Sequence, residues 1–134
     1  MIATKMLNIV LVLIGAAITF LGLNIGLGGM QTLGWQVSRD FITVTDPAVF
    51  QVQDNHIRFV GGVWFGVGVL FVLGGFARAQ MRGTLVALCL VIAGAGLFRF
   101  SAINMDVLSG ADIIGSMLFE LVGFPLLAYW IWRS

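Results

Sequence analysis

The chain has 134 residues, enough for one domain, of which 60% are hydrophobic and only 10% are charged. A soluble domain carries about a quarter charged residues, so a water-covered surface is excluded and lipid is the solvent that fits. A net charge of +1 gives no footing for nucleic acid, and the single cysteine, Cys89, excludes an internal disulfide and Cys-x-x-Cys redox chemistry.

A membrane-crossing helix needs about 20 mostly apolar residues, and four segments supply them. The first, residues 6–27, follows Lys5 and reads as a retained span. Its apolar run is longer than the core of a cleaved signal peptide, and no A-x-A site follows. An outer loop, residues 28–56, comes next. Within it, Thr45-Asp46-Pro47 offers a capping side chain and then proline, which predicts a short surface helix from residue 47 that leads toward the second span. The second span, residues 57–77, opens with Arg58. Arg78 and Arg82 occupy the link to the third span, residues 84–101, which carries Arg99 near its end. The fourth span, residues 113–132, contains Glu120 and closes with Tyr129, Trp130 and Trp132 beside Arg133, the residue types that anchor helices at membrane interfaces. The expected fold is an all-α membrane protein, an up-down bundle of four transmembrane helices in a single domain, residues 1–134.

Charge sets the expected orientation. Lys5, Arg78, Arg82 and Arg133 all fall on one side if both termini are cytoplasmic, and Asp40, Asp46, Asp54, Asp106 and Asp112 fall on the other. The chain therefore reads as a multi-pass protein of the cell inner membrane with both ends inside.

Chemistry is sparse. Arg58, Arg99 and Glu120 lie in or at the edge of spans, where each charge costs about 2.5–3.5 kcal/mol unless it finds a partner. The expected topology puts all three in the outer half of the bilayer, with Glu120 about 10 Å below the start of its span at helical rise. Asp54 sits one turn before Arg58, and Asn24 and Asn55 lie near the same end. Asn24, Asp54, Asn55, Arg58, Arg99 and Glu120 are thus the candidate polar cluster. It admits two readings: a sealed brace in which two arginines flank Glu120, or an outward pocket. In the second, the spare positive charge attracts the phosphate or carbonyl of a lipid, quinone or similar amphiphile. A proton path would need a second deep acid, and the spans hold none. Gly22 with Gly26 and Gly62 with Gly66 follow the small-x-x-x-small spacing of close helix contacts, and Gly62 and Gly66 are expected to face a neighbouring helix.

His56 is the only histidine, and with Asp54 it falls short of a metal-ligand set. No Ser-His-Asp, Glu-x-x-His or phosphate-loop pattern occurs, so neither cofactor nor catalysis is expected. The first span has no acid, unlike small multidrug transporters, and the second lacks the signature of fluoride channels.

The run Asp54-Asn55-His56-Ile57-Arg58-Phe59-Val60-Gly61-Gly62 resembles small four-helix bacterial proteins of the domain of unknown function 4345 family. That family is similar in an acidic or amide cluster leading into Arg-Phe-x-Gly-Gly. It is similar too in a late arginine in the third helix, here Leu97-Phe98-Arg99-Phe100-Ser101, and in a glutamate before glycine and proline, here Glu120-Leu121-Val122-Gly123-Phe124-Pro125. The resemblance spans nearly the whole chain. It implies the four-helix architecture and the polar cluster, and it carries no reaction. The expected function is binding of a membrane amphiphile at the cluster. The alternative is an accessory or structural subunit of a larger membrane complex or homo-oligomer.

Overall fold

The computed structural model describes residues 2–36, 43–101 and 108–134. Among these there is no strand, and four helices are long and apolar enough to cross a membrane: Thr4–Thr32, Pro47–Phe76, Arg78–Ser101 and Ile113–Arg133. The loop stretches with Asp40 and Asp106 lie outside the described residues.

Helix α1, Ile2–Gly28, runs into a 3-10 segment, Gly29–Gln36. The break falls at Gly29, whose φ of +66° is left-handed backbone that glycine enters without a Cβ clash. Helix α2, Pro47–Phe76, starts where its cap dictates. Asp46 Oδ1 accepts from the N–H groups of Ala48 (2.9 Å) and Val49 (3.2 Å), and proline takes the first helical position. No glycine or proline interrupts residues 48–60, so the surface helix and the second span are one rod of 30 residues. Helix α3, Arg78–Leu97, also begins earlier than the hydropathy suggests. Ala77 alone separates it from α2. The link residues Arg78 to Arg82 are good helix formers, and the first turn is built from them.

Helices α4 (Ala111–Leu118) and α5 (Phe124–Arg133) are joined by a π turn, Phe119–Gly123. Its mark is the Phe124 N–H bonded to Phe119 O, five residues back. Pro125 supplies the cause. It has no N–H to give, and in regular α geometry its ring would strike the carbonyl of Leu121.

Two compact units result, residues 1–8 with 77–134 and residues 9–76. In the second unit α1 and α2 touch backbone to backbone. A Cβ on Gly15 or Gly68 would come 2.8 Å from the other's carbonyl oxygen, and one on Gly22 would come 2.6 Å from Phe65 Cα. A Cβ on Gly61 would come 2.6 Å from Gly26 Cα. At Gly62 and Gly66 a Cβ meets nothing within 4 Å. The close contact therefore belongs to Gly61 and Gly68, and the face carrying Gly62 and Gly66 points elsewhere because neighbouring helix positions are turned by about 100°.

In the first unit α3 packs on α5. Leu85, Cys89, Ile92 and Gly96 form the buried stripe of α3, and Phe124, Leu127, Ala128 and Ile131 that of α5. Both stripes follow helical spacing. At the end of α5, Arg78 Nη1 donates to Ser134 Oγ and Arg82 Nη2 to Ser134 O at 2.5 Å. Two cations thus serve carbonyl and hydroxyl groups where the helix dipole is negative.

Candidate functional site

Four charged residues of the candidate spans, Asp54, Arg58, Arg99 and Glu120, form two ion pairs, one in each compact unit. In the unit of residues 9–76, Arg58 Nε donates to Asp54 Oδ2 at 2.6 Å across one helical turn. The same guanidinium donates through Nη1 to Leu27 O, and Asp54 Oδ1 accepts from Met30 N–H at 2.7 Å. The pair on α2 therefore closes the end of α1. Its cation meets a carbonyl of the last turn, and its anion meets an amide just beyond, where intrahelical partners run out. Gly29 makes this possible, since a Cβ there would strike the Asp54 carboxylate and fall 2.9 Å from Arg58 Nη2.

In the other unit Arg99 grips Glu120 with two parallel bonds, Nε to Oε2 and Nη2 to Oε1, both 2.6 Å. This is the bidentate geometry that suits a planar guanidinium. Arg99 lies in the 3-10 segment Phe98–Ser101 that ends the third span, and Glu120 in the π turn of the fourth. Gly96 leaves room for the acid. A Cβ at Gly96 would come 2.9 Å from Glu120 Cβ and 3.1 Å from Oε2.

Exposure is uneven within the pairs. The arginine side chains are 41% and 33% exposed at positions 58 and 99, whereas each carboxylate side chain is 16% exposed. The acids are tucked in and the guanidinium groups face outward.

Of the other sequence candidates, Asn24 contributes its backbone carbonyl, 3.2 Å from the Thr32 hydroxyl. Asn55 is exposed on α2. Among the described residues no group of three His, Cys, Asp or Glu side chains gathers as a metal site would require. Sequence reasoning missed Gly29, Met30 and Gly96. Gly28-Gly29 after an apolar run is a helix-stop signal that could have located the first of these. Nothing local marks Gly96, whose role depends on Glu120 from another helix.

These features define an all-helical chain with four helices apolar enough to span a membrane, in which Asp54 and Glu120 each pair with one arginine. The chain belongs to the family described as Domain of unknown function (DUF4345), whose model matches residues 6–131. No curated protein and no solved structure matches it.

Proposed function

We propose that this chain is a small inner-membrane protein without catalysis that holds the polar head of a membrane amphiphile at its arginine–carboxylate pairs. The observation that carries this reading is the uneven exposure of the pairs, 41% and 33% for the arginines against 16% for each acid. Glu120 takes Nε and Nη2 of Arg99, which leaves the Nη1 edge of that guanidinium unengaged by the acid. A hydrogen-bond donor facing hydrocarbon without an acceptor costs several kcal/mol. A phosphate, ester or quinone oxygen from the membrane offsets that cost.

The reading includes an up-down arrangement with both termini cytoplasmic and both pairs in the outer half of the bilayer. It is supported by Lys5, Arg78, Arg82 and Arg133, which then share the inner side. Reporters active only in the periplasm or only in the cytoplasm, fused to each terminus, test it. Cytoplasmic activity at both ends is expected, and periplasmic activity at either end rejects it.

The binding reading is tested by native mass spectrometry of protein released gently from its membrane. A retained amphiphile is expected on the wild type, with less on Arg58→Gln and on Arg99→Gln. Wild type and both variants carrying the same lipid complement would refute it.

A second reading, an accessory subunit or homo-oligomer, is favoured by the span surfaces. Only 17–28% of the residues in the apolar stretch of each span are buried within the chain, and apolar side chains such as Leu13, Phe59, Val91 and Leu118 are exposed for lipid or for partner helices. A stoichiometric protein partner in the same mass spectra would select it.

A further inference from the structure

Away from the Arg99–Glu120 pair, the unit of residues 1–8 and 77–134 gathers cations at one end. Arg78 and Arg82 stand one turn apart at the start of α3, on one face of the helix. Both reach Ser134 at the end of α5: Arg78 Nη1 donates to its Oγ, and Arg82 Nη2 to its carbonyl oxygen at 2.5 Å. Arg133 is the chain neighbour of Ser134, with its guanidinium 5.9 Å from the Tyr129 ring centre. Lys5 lies in the first turns of α1, in the same unit. α1 and α2 run antiparallel, Gly15 beside Val72 and Gly22 beside Phe65, so the start of α1 and the end of α2 share an end. Ala77 alone separates that end from Arg78.

Among the described residues no acid is paired with any of these four cations. The acid nearest to any of them along the chain is Glu120, thirteen residues before Arg133. It stands about 20 Å away at helical rise, and Arg99 already holds it. Capping Ser134 takes one nitrogen of each α3 guanidinium. Arg78 Nη2 and Arg82 Nε and Nη1 have no acceptor among the described residues. Lys5, Arg82 and Arg133 are exposed, while Arg78 is half-buried with its Nε enclosed, which holds that guanidinium in place. Like charges one turn apart repel, and an anion set against both relieves the repulsion.

Orienting a span needs only cations in the loops of one side. Convergence of two arginines on one residue of another helix goes further, and planar forks of donors match phosphate oxygens. The surroundings select the source of the phosphate. Tyr129 and Trp132 on α5 are 63% and 66% exposed, and such rings settle at the head-group level of a bilayer. A free phosphate gains nothing from them, whereas a lipid offers phosphate and apolar surface together. We propose that the end of this unit carrying Lys5, Arg78, Arg82 and Arg133 is a docking surface for the head group of an anionic phospholipid. Arg78 and Arg82 hold the phosphate, and Arg133 and Lys5 flank it. This surface is separate from the arginine–carboxylate pairs and stands or falls without them.

The full chain, stripped of lipid in detergent, is offered equal amounts of phosphatidylglycerol and phosphatidylcholine, and bound lipid is counted by native mass spectrometry. Wild type should prefer phosphatidylglycerol by about tenfold. Arg78→Gln with Arg82→Gln should abolish that preference. Because this pair also caps α5, Lys5→Gln with Arg133→Gln provides a second arm that leaves both Ser134 bonds intact. It should melt with the wild type and still weaken phosphatidylglycerol binding by about fivefold or more. Arg58→Gln with Arg99→Gln should keep the preference. No preference in wild type, or an unchanged one in both inner-end double variants, overturns the proposal. Loss of the preference in Arg58→Gln with Arg99→Gln alone would move the anionic lipid to the ion pairs and overturn it too. Displacement of the lipid by inorganic phosphate, but not by chloride at matched ionic strength, would make this a free-phosphate site and reject the lipid assignment.

Discussion

Glu120 is the costliest side chain of the fourth span, and Arg99 is what makes it tolerable. Both carboxylate oxygens are engaged at 2.6 Å, and Gly96 keeps the neighbouring helix from crowding them. An exposed pair contributes about 0–1 kcal/mol, while breaking a buried one costs about 3–5. With the arginine 33% exposed, Glu120→Gln should destabilise by about 2–4 kcal/mol in detergent melts. The coupling should lie within the pair. Glu120→Gln with Arg99→Gln should lose at least about 1 kcal/mol less than the two single changes summed, a double-mutant cycle that additivity would refute. All four pair members were legible in sequence, as charges in or beside apolar spans. Their pairing was only half legible. Asp54 and Arg58 are one turn apart, so the helix itself joins them. Arg99 and Glu120, expected together from their similar depth, do meet through a packed helix interface, whereas Arg58, expected on the same acid, is paired with Asp54. Counting Glu120 as the sole embedded carboxylate also left a spare positive charge, which Asp54 removes.

At the scale of the helices, glycines decide how α1 and α2 meet. Gly61→Leu or Gly68→Leu would push side-chain atoms into the backbone of α1, and overpacking of this kind costs about 1–3 kcal/mol or more. Gly62→Leu and Gly66→Leu should leave the melting temperature unchanged, because open space surrounds both. A stability loss confined to positions 62 and 66 would mean that the helix face is misassigned. The sequence pattern pointed to the right helix and the wrong face. In a run such as Gly61-Gly62 either residue can start a small-x-x-x-small pair, and only the partner helix chooses between them. The helix starts divide in a similar way. Pro47 was legible from Asp46, whose side chain caps locally. The start at Arg78 was not, because hydropathy locates the apolar part of a helix and says nothing of polar turns that continue it.

For the whole molecule, composition carries the most. Ten per cent charge and four helices long and apolar enough to cross a membrane are the features of a membrane protein, and the family match runs over residues 6–131. Exposed apolar side chains on each of the four spans leave surface for lipid or for partner helices. The central claim is that the outward edges of Arg58 and Arg99 meet a non-protein acceptor. The most direct test is a high-resolution density map of the protein in native-lipid nanodiscs. The account predicts elongated non-protein density with a polar end within about 3.2 Å of an Arg58 or Arg99 guanidinium nitrogen. A map in which protein side chains, or the helix of a partner, cover both guanidinium groups would contradict it.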